Sequence, residues 1–142
     1  MSAAQTALAQ QLREVPFFAG LDEQTLATLA LGAVQQRYAP GSIVFLEGDA
    51  GRGLSFLAEG RLKVVKLSPE GREQVLRVFG PGETFNEIGA FASHANPATA
   101  IALVESVIWL LDRQALKQLL RAIPELAERL IENMANRVVE LA

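Results

Sequence analysis

At 142 residues the chain is long enough for one ordinary domain with a hydrophobic core of its own. It is 50% hydrophobic and 20% charged, which excludes a disordered chain, and a net charge of -3 without a basic run speaks against nucleic-acid binding by this chain alone. The absence of cysteine excludes disulfides, zinc–thiolate sites and cysteine nucleophiles. Met1 to Gln10 is Ala/Gln-rich without a charged start, so it does not read as a secretory signal, and no apolar run approaches the roughly 20 residues that span a bilayer.

Helix formers run from Ala3 to Glu14, with Leu8, Leu12 and Val15 at spacings of four and three, until Pro16 stops them. Asp22 stands as N-cap of a second short helix whose apolar stripe is Leu26, Leu29 and Ala30 and which ends at Gly32. From Val34 the period becomes two. Val34–Tyr38, Ile43–Leu46, Leu54–Leu57, Leu62–Leu67 and Gln74–Phe79 read as strands, separated by turns such as Ala39-Pro40-Gly41, Glu59-Gly60 and Gly80-Pro81-Gly82. Two more strands are expected over Thr99–Val104 and Val107–Leu111, and this many short strands indicates a sandwich or closed barrel.

Between them, Pro81 to Phe91 and Asn96 to Ala100 combine turn formers, small residues and one acid. Such a segment reads as a ligand cradle, because Gly-containing backbone can approach a guest and offer it amide hydrogens. No lysine or arginine lies between Gly80 and Leu111, so an anionic guest is expected to find no cation there.

Asp112 caps a helix over Arg113 to Arg121, and Pro124 occupies the first turn of a final helix. Along that helix Ala127, Ile131, Met134, Val138 and Leu141 form a coiled-coil-like seam, which predicts a homodimer, while Leu126 and Leu130 can face the chain's own barrel. The helix breaks off at Ala142 in mid-pattern, as in a piece of a longer protein. The expected organisation is a helical segment over 1–33, a β-barrel effector domain over 34–111 and helices over 112–142, in one compact domain.

This order of elements resembles the effector domain of Crp/Fnr-type bacterial transcription regulators, which share the cyclic-nucleotide-binding fold. The carriers are Val15-Pro16-Phe17-Phe18-Ala19-Gly20-Leu21, Tyr38-Ala39-Pro40-Gly41-Ser42-Ile43-Val44-Phe45, Ala58-Glu59-Gly60-Arg61-Leu62-Lys63-Val64 and Phe85-Asn86-Glu87-Ile88-Gly89-Ala90-Phe91. The resemblance implies an α+β chain: a double-stranded β-helix (jelly-roll) barrel with N-terminal helices and a long C-terminal dimerisation helix. It also implies a cytoplasmic, non-enzymatic sensor that acts on DNA through a helix-turn-helix domain beyond this chain.

Nucleotide-binding members of that family carry Gly-Glu in the cradle, the glutamate accepting the ribose hydroxyl, and an Arg-Ser or Arg-Thr pair that holds the cyclic phosphate. Glu87 matches the glutamate, Asn86 replaces the glycine, and Asn96-Pro97 stands where the arginine pair belongs. Losing one partner of such a charge-assisted pair costs about 2–5 kcal/mol, and Pro97 removes a backbone donor as well. Leu141 and Ala142 replace the hydroxyl residues that would touch the base. A ligand altered or lost relative to cyclic AMP is therefore expected, with the pocket drawn from Phe85, Asn86, Glu87, Ile88, Gly89, Asn96, Pro97, Ala98 and Thr99.

Other readings stay open. Glu87 reads equally as an acceptor that shapes its own turn, and Asn86 and Asn96 as makers of local side chain–backbone bonds. Arg52 and Arg61 read as solvated residues near turns, and Phe56, Phe79, Phe85, Phe91 and Trp109 as core. His94, the only histidine, lies in a polar turn; some relatives use a pocket histidine for haem, but an exposed loop residue is expected. No cofactor is required on this reading. A nucleotide domain despite the missing arginine, a haem-based gas sensor and a ligand-free interaction module are the alternatives. No nucleophile–base pair or paired carboxylates point to catalysis.

Overall fold

A capping box starts the chain's first helix: Ser2 accepts from the Gln5 amide at 3.1 Å while the Gln5 side chain accepts from the Ser2 amide at 2.9 Å. In the computed structural model, which describes residues 1–87 and 95–141, α1 spans Ala3–Leu12 and hands over to a single 3-10 turn at Pro16–Phe18. Asp22 accepts from the Thr25 amide at 2.7 Å and caps α2 (Glu23–Leu31), as its position in the sequence predicts.

Eight strands follow among the described residues: β1 (Val34–Tyr38), β2 (Ile43–Phe45), β3 (Gly53–Glu59), β4 (Leu62–Leu67), β5 (Glu73–Phe79), β6 (Thr84–Phe85), β7 (Thr99–Ala102) and β8 (Ser106–Asp112). They make two antiparallel four-stranded sheets, ordered β1-β8-β3-β6 and β2-β7-β4-β5. This is the jelly-roll architecture expected. β2, β3, β5 and β8 differ from the expected bounds by one or two residues at an end, while β7 is shorter than expected and β6 was not expected. β7 stops at Ala102 because Leu103 and Val104 turn outward, 40% and 47% exposed, and the two-residue β6 is too short to show a period.

The inner strands of the first sheet, β3 and β8, are buried on both faces and so read as nearly continuous apolar runs, whereas β1 at its edge is largely exposed. Leu54 and Phe56 of β3, with Trp109 and Leu111 of β8, turn towards the helices; Leu57 and Ile108, one step out of phase, turn into the roll. The helix-side core also takes Leu8, Leu26, Leu116, Leu126 and Leu130, so it gathers α1, α2 and the two C-terminal helices onto one sheet face. Full burial of each such side chain contributes about 1.5–3 kcal/mol. The β3–β4 hairpin turns at Gly60 (φ +106), where a Cβ would lie 2.2 Å from Ser106 Oγ, so no other residue fits without displacing β8.

Asp112 accepts from the Ala115 amide at 3.0 Å and caps α3 (Arg113–Ala122); Pro124 then opens α4 (Pro124–Leu141). Leu126 and Leu130 anchor the start of α4 in the helix-side core, and Arg129 donates to the Ala19 carbonyl beside the 3-10 turn. The remainder of α4 crosses the open side of the second sheet, where β4 and β5 present Val64, Lys66, Leu76 and Arg77. That crossing creates the site.

Candidate functional site

β6 is buried at both of its residues and leads into Asn86, which holds a left-handed conformation (φ 60). Glu87 follows, only 6% exposed. Its Oε1 accepts from Thr84 Oγ1 at 3.3 Å and its Oε2 accepts from Arg137 Nη1 at 3.0 Å. The other guanidinium nitrogen of Arg137 donates to the Thr84 carbonyl, and its Cζ sits 5.2 Å from the centroid of the Phe79 ring. One helix residue is thus tied to the cradle's acid, its backbone and its aromatic wall. Burial pushes the Glu87 carboxyl above its ordinary range, with the Arg137 guanidinium pulling the other way; burial likewise lowers Arg137, with Glu87 opposing.

A second tie lies beside it. Arg77 of β5 donates to Glu140 of α4 at 2.7 Å, stands 3.7 Å from Glu83, and places its Cζ 4.7 Å from the centroid of the same Phe79 ring. Lys66 of β4 pairs with Glu47 at 3.3 Å.

Beneath α4 these ties enclose a cavity of about 400 Å³. Phe45, Val64, Phe79 and Phe85 form its barrel wall, and Met134 and Val138 reach it from α4. Of the residues expected from the sequence, Phe85, Asn86, Glu87, Pro97 and Ala98 line it. Thr99 does not: it is 3% exposed and its Oγ1 accepts from the Glu47 amide at 3.0 Å. Asn96 is 3% exposed, accepts from Asn86 Nδ2 at 3.2 Å and donates to the Leu46 carbonyl at 3.2 Å. Asn86 and Asn96 therefore bond to each other, and the backbone carbonyl that Asn96 reaches lies 50 residues away instead of in its own turn, where a local bond was expected. Asn96 opens instead on a second, more polar cavity of about 440 Å³ that also touches Tyr38, Asp49 and Arg52. Ile88, Gly89, Ala90, Phe91 and His94 lie outside the described residues.

The expectation that the cradle lacks a cation is corrected. Lys66, Arg77 and Arg137 all line the cavity, delivered by β4, β5 and α4 rather than by the cradle's own stretch. Local sequence could not show this, because Arg137 meets Glu87 across a separation of 50 residues. The only signal was helical phase: Arg137 continues the barrel-facing stripe begun by Leu126 and Leu130. Arg52 and Arg61 are exposed, as expected.

On the seam, Ile131 and Val138 are 62% and 67% exposed, whereas Ala127 and Met134 are half-buried against the chain itself. The side chain of Leu141 lies outside what is described. Among the described residues no helix is long and apolar enough to cross a membrane.

Residues 35–122 match the cyclic nucleotide-binding domain family. The chain is 28% identical over 127 residues to a CRP-like cAMP-activated global transcriptional regulator of Mycobacterium tuberculosis, covering 89% of this chain and 57% of the relative. It thus spans 57% of the length of that relative. Among solved structures it is similar to the N-terminal domain of a transcriptional regulator from Streptomyces coelicolor, with 35% identity, a TM-score of 0.74 and coverage of 92% and 91% of the two chains. It is also similar to the sensor domain of the transcriptional regulator DNR from Pseudomonas aeruginosa, with 28% identity, a TM-score of 0.85 and coverage of 96% and 92%.

Proposed function

The chain belongs to the cyclic nucleotide-binding domain family, and on that premise we propose that it is the effector-sensing and dimerisation domain of a Crp/Fnr-type cytoplasmic transcription regulator whose effector is not a cyclic nucleotide. The observation that carries this reading is Arg137 of α4 seated on Glu87, 3.0 Å apart. The acid that would accept a ribose hydroxyl is already committed to the chain's own helix. Asn96-Pro97, at the phosphate end, supplies no guanidinium. A cyclic nucleotide would have to displace Arg137 and then do without a phosphate partner in that loop.

The same contact explains how a guest would signal. A molecule in the cavity touches Met134 and Val138, which lie on the seam proposed to pair two copies, so occupancy and helix pairing share residues. A guest that fits one helix position better than another shifts the pairing by that difference in affinity, and reorients DNA-binding domains carried beyond α4. The role is binding and not catalysis.

Calorimetric titration with cyclic AMP and cyclic GMP is expected to show no tight binding, and a sub-micromolar dissociation constant would refute the altered-ligand reading. Sedimentation is expected to show a dimer; monomer only, at high concentration, counts against pairing through α4.

A further inference from the structure

We infer that the cavity under α4 takes an uncharged, mainly aromatic guest of about two or three rings, an inference that rests on reading this cavity as the effector site. Its charges are already satisfied within the chain. Arg137 is held by Glu87, Arg77 by Glu140 and Glu83, and Lys66 by Glu47. Their charged heads turn to those partners and their aliphatic stems line the space, so the wall offered to a guest is almost entirely carbon. An anionic guest gains a cation only by breaking one of these pairs, whereas a neutral one enters with every pair intact.

The shape agrees with the charge. Phe85 packs against Phe45 with ring centroids 6.2 Å apart and 20° between planes, and against Phe79 at 5.6 Å and 38°. The three rings form one continuous aromatic wall, suited to stacked or edge-on contact with another ring. Met134, facing them from α4, adds a polarisable sulfur and an adaptable side chain. An apolar cavity of roughly 150 Å³ holds one benzene ring. The 400 Å³ here admits two or three, within the range of ordinary small-molecule sites. Val138, 67% exposed at the rim, leaves a path for entry.

A matched pair of dyes tests the inference on the intact chain: neutral N-phenyl-1-naphthylamine and its 8-sulfonate, which share rings and differ by one charge. The neutral dye is expected to saturate at one per chain and to bind at least about tenfold more tightly than the sulfonate. Leu76→Glu and Pro97→Glu, both on the partly exposed wall, are expected to weaken it about tenfold, while Ile131→Glu on the open helix face leaves it unchanged. A sulfonate that binds as tightly or more tightly overturns the inferred ligand class and leaves the effector-site reading standing. Binding lost in Ile131→Glu but kept in the two wall variants places the dye on the helix seam and overturns the cavity as the site. Failure of both dyes overturns the class alone, since the cyclic-nucleotide titration and sedimentation test the broader reading separately.

Discussion

The two halves of α4 are attached to the barrel by different physics. The first half is embedded: Leu126 and Leu130, 0% and 4% exposed, sit in the core with Leu12, Phe18 and Phe56. The second half bridges a cavity and is held chiefly by polar ties, Arg137 to Glu87 and Arg77 to Glu140. Hydrophobic burial of the first kind is lost only when the core opens. An ion pair of the second kind can be exchanged for another set of contacts. Burial disfavours the charged forms of both Glu87 and Arg137 while each partner's charge opposes it, so the tie forms against a desolvation penalty. A helix anchored at one end and tied by exchangeable bonds at the other is suited to relay occupancy of the cavity.

Four changes break or sharpen that contrast. The largest effect is expected for Leu126→Ala in the embedded half, about 2–5 kcal/mol of global stability by denaturant unfolding, as for other fully buried leucines. A loss well under 1 kcal/mol would mean that the first half is not an anchor. Arg137→Ala leaves Glu87 buried without its cation. With the Arg137 side chain still 18% exposed, solvent relieves part of the penalty, and about 1–3 kcal/mol is expected.

The pH dependence of Glu87 follows from the direction of its shift. A carboxyl raised above its ordinary value of 4.5 by burial contributes stability that is fully present below that value and lost as pH rises through the folded-state value. The stability of wild type relative to Glu87→Gln should therefore decline as pH is raised from 4.5, read from paired thermal melts. A difference that grows with pH would show pairing with Arg137 outweighing burial. The smallest effect belongs to Glu140→Ala: its side chain is 57% exposed, and about 0.2–1 kcal/mol is expected.

Much of the scaffold was legible in the sequence because its signals are local. Asp22 and Asp112 cap where they stand, Pro124 opens the last helix, and the alternating patterns of Val34–Tyr38 and Leu62–Leu67 give the bounds of β1 and β4. The site was legible in part. Glu87 and Pro97 fall in a recognisable cradle, but β6 is too short for a period. The walls contributed by Phe45, Val64 and Met134 come together only in three dimensions. Arg137 was the main omission. In sequence it is one more cation on an amphipathic helix, set apart from the exposed Arg129 only by its phase on the stripe of Leu126 and Leu130, which does not name its partner. Thr99, expected at the site, instead uses its hydroxyl to hold the Glu47 turn, a contact across 52 residues that no local pattern announces.

Hydrogen exchange along α4 in wild type and Arg137→Ala tests the central contrast most directly, because it reads local opening residue by residue. Amides from Asn133 to Glu140 are expected to lose protection when Arg137 is removed, while those around Leu126 and Leu130 keep theirs. Uniform loss along the helix, or no change in its second half, would contradict that contrast.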